Sequence, residues 1–277
     1  MTEHHLSYRE SVLAYKVFGN GPELVFCFHG YGESAAAFLF LEKYSGNRFL
    51  FVALDLPFHG ETKWNEGLTF TKEDLKKIVC EIIGRHNPIP DSQFPVSLLG
   101  FSLGGRIALG LYQSMPEKIK KMVLLAPDGL KVNFWYWLAT QTWLGNKLFS
   151  ATMKHPAWFF AMLKLFHKMK MVNASIFKFV RHYIGDREAR SLLYKRWTAL
   201  RRIRPLLPAI KRGINNSKTP TILLYGKHDR IILSSVGEKF SRSIEKHCSL
   251  RIIASGHQVL HEKHAADIVN ALTHGET

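Results

Sequence analysis

The sequence predicts an α/β fold, with a mostly parallel central sheet flanked by helices. Three observations carry this expectation. Apolar runs of four to six residues, too short for helices, recur along the chain, and each ends in a polar residue. Segments with helical periodicity fall between them, and strand–helix alternation is the pattern of a parallel sheet. The 277 residues are 46% hydrophobic, with 20 glycines and 11 prolines spread along the chain, which suffices for a sizeable core.

Taken in order, "HLSYRESVLAYKVFG" (5–19) reads as two strands joined by a turn. "ELVFCFHG" (23–30) is a continuous apolar run with a glycine-bearing polar tip. "FLFVALDLPFHG" (49–60), "FPVSLLGFS" (94–102), "KMVLLAPDG" (121–129), "TILLYGKHD" (221–229) and "SLRIIASGH" (249–257) repeat that design. Strands apolar on both faces belong to a sheet covered on both sides. Between them, "TKEDLKKIVCEIIGRH" (71–86) is helical: Thr71 is the N-cap, Asp74 sits in the first turn, and Leu75, Ile78, Val79, Ile82 and Ile83 keep the spacing. "GGRIALGLYQSM" (104–115) and "HAADIVNALTH" (264–274) are helical as well. In such sheets ligands gather beyond the carboxyl ends of the strands, where the polar tips lie.

Residues 133–212 break the alternation. They hold 16 of the 38 Lys and Arg residues but only Asp186 and Glu188 of the 22 acidic ones, a balance of +14 out of the chain's +16, and five of the six tryptophans. The segment is expected to be a helical, basic, aromatic-rich insertion between two pieces of one core, 1–132 and 213–277. One helix, 155–171, would set Trp158, Phe159, Met162, Leu163, Phe166 and Met169 opposite Lys164, His167 and Lys168. A second would start at the N-cap Asp186, with Leu192, Leu193, Trp197 and Leu200 as its apolar face. Such helices either roof a pocket or meet an anionic surface, since Lys and Arg opposite Trp, Phe and Leu mark interfacial helices. The same charge would steer an anionic substrate. No nucleic-acid-binding module accompanies it, so no nucleic acid is expected as a partner.

Several classes are excluded. Cys27, Cys80 and Cys248 are odd in number and far apart, so they form neither a disulfide framework nor a metal-ligand spacing. No histidine, cysteine or carboxylate cluster has metal spacing, and neither a G-x-G-x-x-G nor a phosphate loop occurs, so no cofactor and no metal is expected. The N-terminus is polar and lacks the apolar core of a secretory signal, and no run of about 18 apolar residues occurs. A cytoplasmic protein is expected, with peripheral contact to the inner membrane face as the extension suggested by the basic insertion.

"LLGFSLGGRIALG" (98–110) raises the chemical question. A strand runs into Ser102 and a helix begins at once, a very tight turn that Gly100 and Gly104 permit because they carry no side chains to collide. G-x-S-x-G in a strand–turn–helix context is a nucleophile elbow. The turn places the Leu103 N–H at a helix N-terminus, aimed at negative charge developing near the serine. A serine hydroxyl needs a base, and the base needs an orienting carboxylate. Asp229 and His257 both lie at strand tips and follow in the order serine, acid, histidine. Asp128, also at a strand tip, is the alternative acid. His29 and His59 sit in loops near the site, Asp55 is expected to brace loops, His228 to be solvated or to support the acid beside it, and His261 and His264 to be surface groups.

These motifs resemble the α/β-hydrolase superfamily over most of 7–132 and 213–275: "HGYG" (29–32), "DLPFHGET" (55–62), "GFSLGG" (100–105), "YGKHD" (225–229) and "SGH" (255–257). The resemblance implies an α/β-hydrolase fold with an inserted helical cap at 133–212. It implies Ser102 as nucleophile, Asp229 as acid, His257 as base, and the backbone N–H groups of Tyr31 and Leu103 as the oxyanion hole. Some members draw the acid from the strand that bears Asp128, and the resemblance implies a mostly structural role for His29 and His59. Phe58 departs from the family, which more often has glycine there.

The function expected is a serine hydrolase that cleaves a carboxylic ester of an acyl chain, a lipid-derived one among the candidates, through an acyl-enzyme. The alternative uses the same triad for carbon–carbon bond hydrolysis, or for a lyase reaction resembling that of the superfamily's menaquinone-pathway member, on a small anionic substrate. A non-catalytic ligand-binding protein is the third class.

Overall fold

The computed structural model describes residues 2–86, 95–169 and 184–273. It divides into two compact units: Met1–Glu66, Phe70–Lys131 and Ile203–Thr277 form the first, and Gly67–Thr69 with Val132–Arg202 form the second.

The first unit holds an eight-stranded sheet: β1 (Thr2–Tyr8), β2 (Ser11–Phe18), β3 (Glu23–Phe28), β4 (Phe49–Leu54), β5 (Val96–Phe101), β6 (Ile119–Leu125), β7 (Thr221–Gly226) and β8 (Cys248–Ile253). The spatial order is β1-β2-β4-β3-β5-β6-β7-β8. β1 and β2 pair antiparallel through the turn at Arg9 and Glu10, and β2 pairs antiparallel with β4. From β4 to β8 all pairs are parallel. From β3 to β7 the apolar runs are buried as a doubly covered sheet requires, with every residue of β5 and β7 buried, whereas β8, at the edge of the sheet, buries only Cys248.

Helices α1 (Leu41–Ser45), α2 (Lys72–His86) and α3 (Leu103–Ser114) follow β3, β4 and β5. α2 begins with a reciprocal cap. The Asp74 N–H donates to Thr71 Oγ1 at 3.1 Å, and the Thr71 N–H and hydroxyl donate to Asp74 Oδ2 at 2.9 and 2.6 Å. The Tyr8 hydroxyl also donates to Asp74 at 2.7 Å, tying α2 to β1. Burial alone would raise the Asp74 carboxyl, but hydrogen bonds from Thr71 and Tyr8 and the Arg9 charge outweigh it and hold the group below its ordinary value. Burial, with Asp74 as acceptor, pushes the Tyr8 hydroxyl up to about 12. Because the folded carboxyl is depressed, its stabilisation is present above the unfolded carboxylate value and is lost as pH falls through the folded one. Asp74→Ala is expected to destabilise the protein by about 2 kcal/mol at neutral pH, with the difference shrinking in acid, as read by urea denaturation at several pH values.

The second unit contains α4 (Phe134–Gln141), α5 (Trp143–Lys154), α6 (Ala157–Lys168) and α7 (Arg187–Ala199). Side chains cap three of these helices: Asn133 accepts from Tyr136 N, Thr142 from Gly145 N, and Asp186 from Ala189 N. Trp197 of α7 packs against Tyr136 and Phe149, and Leu200 is buried beyond it. The apolar face expected for 155–171 is only partly covered. Leu163 is buried, but Trp158 and Met169 are exposed, as is Leu165. The Phe166 side chain and residues 170–171 lie outside the described residues.

The second unit ends at Arg202, whereas the composition break runs to 212. Ile203 and Ile210 are buried in the first unit, and Ile203 lies against Gly110 of α3. Helix α8 (Leu207–Ser217) seats Gly213 against the ring of Tyr112. Basic residues on its outer side gave 203–212 the composition of the insertion, while its apolar stripe gave it the packing of the core. Helices α9 (Ser234–Ser241) and α10 (Ala265–Thr273) complete the first unit.

Candidate active site

Parallel pairing brings the candidate residues to one edge of the sheet. Phe28 of β3 is level with Gly100 of β5, Phe101 with Leu125 of β6, Leu125 with Leu224 of β7, and Gly226 with Ile253 of β8. Tyr31, Ser102, Asp128, Asp229 and His257 each stand a few residues beyond those carboxyl ends.

Ser102 sits between β5 and α3 with φ 49° and ψ −113°, the left-handed side of conformational space that side chains rarely adopt. The turn is held on both sides: the Ser102 N–H donates to Leu125 O at 2.9 Å, and the Ser102 carbonyl accepts from Gly105 N at 2.9 Å and Asp128 N at 2.8 Å. Close approach explains the glycines. A methyl group on Gly104 would overlap the Phe28 carbonyl, and one on Gly100 would collide with the Gly104 carbonyl. Backbone cannot retreat as a flexible side chain can. Gly104→Ala is therefore expected to cost about 3 kcal/mol or more and to lower the yield of soluble protein, measured by thermal melting of what is recovered.

His257 Nε2 lies 3.1 Å from Ser102 Oγ, and His257 Nδ1 lies 2.7 Å from Asp229 Oδ2. Asp229 is buried, and its Oδ1 accepts from the N–H groups of Ile231 at 2.7 Å and Ile232 at 2.9 Å. The ring of Phe101 packs on His257 at 5.4 Å. A carboxylate can only accept, so the proton of the neutral imidazole resides on Nδ1, and Nε2 is left as the acceptor facing the serine. That arrangement can remove a proton from Ser102.

Asp128 is placed differently. Its Oδ2 lies 3.4 Å from Arg106 Nε, and its Oδ1 accepts from Gly129 N at 2.7 Å. Of the two candidate acids, the histidine contacts Asp229.

Leu103 is the first residue of α3, where backbone N–H groups lack intrahelical partners. Tyr31 follows the buried His29, whose Nε2 accepts from Leu56 N at 3.2 Å. Tyr31 and Leu103 therefore stand equally far past two paired residues on neighbouring strands. His59 Nδ1 contacts Pro57 O at 2.9 Å, and the Asp55 carboxylate accepts from Ala35 N at 2.6 Å and Glu61 N at 2.9 Å, so both brace loops. Phe58 adopts φ 63°, a conformation in which glycine has no steric penalty. His228 and His261 are exposed. His264, expected at the surface, is buried; it ends a short 3₁₀ turn, Glu262–His264, that precedes α10 and folds it inward.

Glu33 and Gln258 escaped the sequence patterns. The Glu33 carboxylate accepts from Gly30 N at 3.0 Å and from the Gln258 side-chain amide at 2.9 Å, tying the loop after β3 to the residue beside His257. Only the spacing of Glu33, three residues past Gly30, hinted at it. Glu33→Ala is expected to leave the fold intact and to lower turnover of whatever substrate the serine accepts about tenfold, because both loops lose their tie.

Among the described residues, no group of three or more His, Cys, Asp or Glu side chains could hold a metal ion. Burial raises the Cys27 thiol well above its usual range and pushes Cys248 up to about 12, so both behave as apolar packing groups.

Residues 21–264 match the family described as serine aminopeptidase, S33. Over 268 residues, 90% of each chain, the sequence is 24% identical to an uncharacterized hydrolase, YugF, of Bacillus subtilis. Over 121 residues, 43% of each chain, it is 29% identical to a pimeloyl-[acyl-carrier protein] methyl ester esterase of Nitrosomonas europaea. The enol-lactonase of Burkholderia xenovorans superposes with a TM-score of 0.66 at 15% identity, covering 98% of this chain and 100% of that one.

Proposed function

Since the chain belongs to the serine aminopeptidase S33 family of α/β-hydrolases, we propose that it hydrolyses carboxylic esters of an acyl chain through an acyl-enzyme on Ser102. The observation that carries this reading is the unbroken relay from Ser102 Oγ to His257 to Asp229, at 3.1 and 2.7 Å. Ester-hydrolysing relatives support the choice of substrate class, the Nitrosomonas methyl ester esterase among them.

In this mechanism Ser102 Oγ attacks the ester carbonyl while His257 Nε2 takes its proton. Asp229 keeps the imidazole in the required tautomer and stabilises the imidazolium. The developing oxyanion is met by the N–H groups of Leu103 and Tyr31, each worth about 3 kcal/mol in the transition state. His257 returns the proton to the leaving alcohol. A water, deprotonated by the same nitrogen, then releases the acid and regenerates the serine. The strained turn at Ser102 serves this path, since it holds the hydroxyl clear of the helix it begins.

The test is a panel of short- and medium-chain p-nitrophenyl esters and monoacylglycerols, run beside an amino-acid p-nitroanilide. Turnover of esters with the anilide inert is expected. Turnover of the anilide alone would replace the ester reading by a peptidase one, and inertness towards every ester would defeat it.

A further inference from the structure

The second unit carries an outward face that a water-soluble helix bundle has no use for. Of the fifteen large hydrophobic side chains that stand exposed among the described residues, ten fall between Val132 and Met169. That stretch of sequence contains Lys147, Lys154, Lys164 and Lys168 and no aspartate or glutamate.

The concentration is sharpest on α5. Its inner side is made by Thr152 and Met153, which are buried, and by Phe149, which packs on Tyr194 and Trp197 of α7. Its outer side bears Trp143, Leu144 and Leu148, exposed by 72, 70 and 54%. Lys147 and Lys154 occupy the same outer side, and the Lys147 ammonium stands 3.9 Å from the centre of the Trp143 indole. On α4, Phe134 and Trp135 are exposed and stack edge to face with each other. A helix that buries one apolar stripe and exposes a second, interleaved with lysines, is built to meet two media.

We propose that the outer face of α5, together with Phe134 and Trp135 of α4, docks on an anionic phospholipid surface. Trp and Leu enter the headgroup–acyl boundary, while the lysine ammonium groups remain at the phosphate level. The chemistry of the face selects this occupant. A purely apolar partner would leave the lysines unpaired, and with no acidic residue in 132–169 the face offers a second copy of itself no charge to pair with. Among the described residues no helix is long and apolar enough to cross a membrane, so the helix lies on the surface rather than through it. The inference stands apart from the catalytic reading and adds to it the place where an acyl substrate would be met.

The experiment is flotation of the full-length chain with vesicles of phosphatidylcholine alone, and of phosphatidylcholine mixed with phosphatidylglycerol. Binding to the mixed vesicles is expected, with a blue shift of tryptophan emission, and weaker binding to the neutral ones. Trp143→Ser with Leu144→Ser should weaken binding to both at least about tenfold, because the apolar anchor is gone. Lys147→Gln with Lys154→Gln should lower binding only on the anionic vesicles, about fivefold per lysine. These side chains are exposed, so circular dichroism of all variants should match wild type. Ser102→Ala should bind as wild type does, which separates a failure of docking from a failure of catalysis. The proposal is overturned if wild type binds neither vesicle, or if the apolar variant binds as wild type does. It is equally overturned if sedimentation shows a wild-type dimer that the apolar variant converts to monomer, which would make a second copy the occupant.

Discussion

Ser102→Ala is expected to abolish labelling by a fluorophosphonate probe and to lower ester turnover about 10⁵-fold, while the melting temperature stays near that of wild type. The loss is large because the serine oxygen is the atom that would form the covalent bond, so no neighbour substitutes for it. The stability is unaffected because the strain resides in the backbone, at φ 49°, and alanine pays the same steric cost as serine there. The backbone hydrogen bonds to Leu125, Gly105 and Asp128 also remain. Labelling that persists in the variant would place the reactive nucleophile elsewhere.

Asp229→Asn is expected to lower turnover about 10⁴-fold, with Asp128→Asn within about tenfold of wild type. The asymmetry follows from hydrogen bonding. The N–H groups of Ile231 and Ile232 both donate to Asp229 Oδ1, so an asparagine must keep its carbonyl oxygen there. Its NH₂ then faces His257 Nδ1, which must accept and so gives up its proton. The proton moves to Nε2, and the ring can no longer accept from Ser102. Asp128 offers no such route, since its carboxylate is turned to Arg106 and to the Gly129 N–H. Equal losses in the two variants would mean that the histidine has a second carboxylate partner during turnover.

The chain divides the two levels of information unevenly. The strands β3 to β7 were legible because burial on both faces leaves continuous apolar runs; β8 falls where the last such run does, though only its Cys248 is buried, and β1 and β2 fall in the segment that reads as two strands joined by a turn. The elbow was legible because "GFSLGG" packs its steric demand into six residues: Gly100 and Gly104 must be bare where β5 folds back on α3. The second unit was less legible. Periodicity set Trp158 and Met169 on one apolar face with Leu163 without saying whether that face is covered, and the structure buries Leu163 but leaves the other two exposed. An apolar side chain reads the same in sequence whether it meets a core or an outer medium. Residues 203–212 show the converse, with a basic composition over a core-facing stripe.

The sequence by itself determined the strands, the tight turn at Ser102 and the chemical types standing at the strand ends, because each is a local demand of sterics or burial on a few neighbouring residues. Tertiary structure alone decided which carboxylate meets His257, that Glu33 and Gln258 join two loops, and which faces of the insertion stay outside. Those are contacts between residues as many as 225 positions apart, and only the register of the sheet and the packing of its loops bring them together.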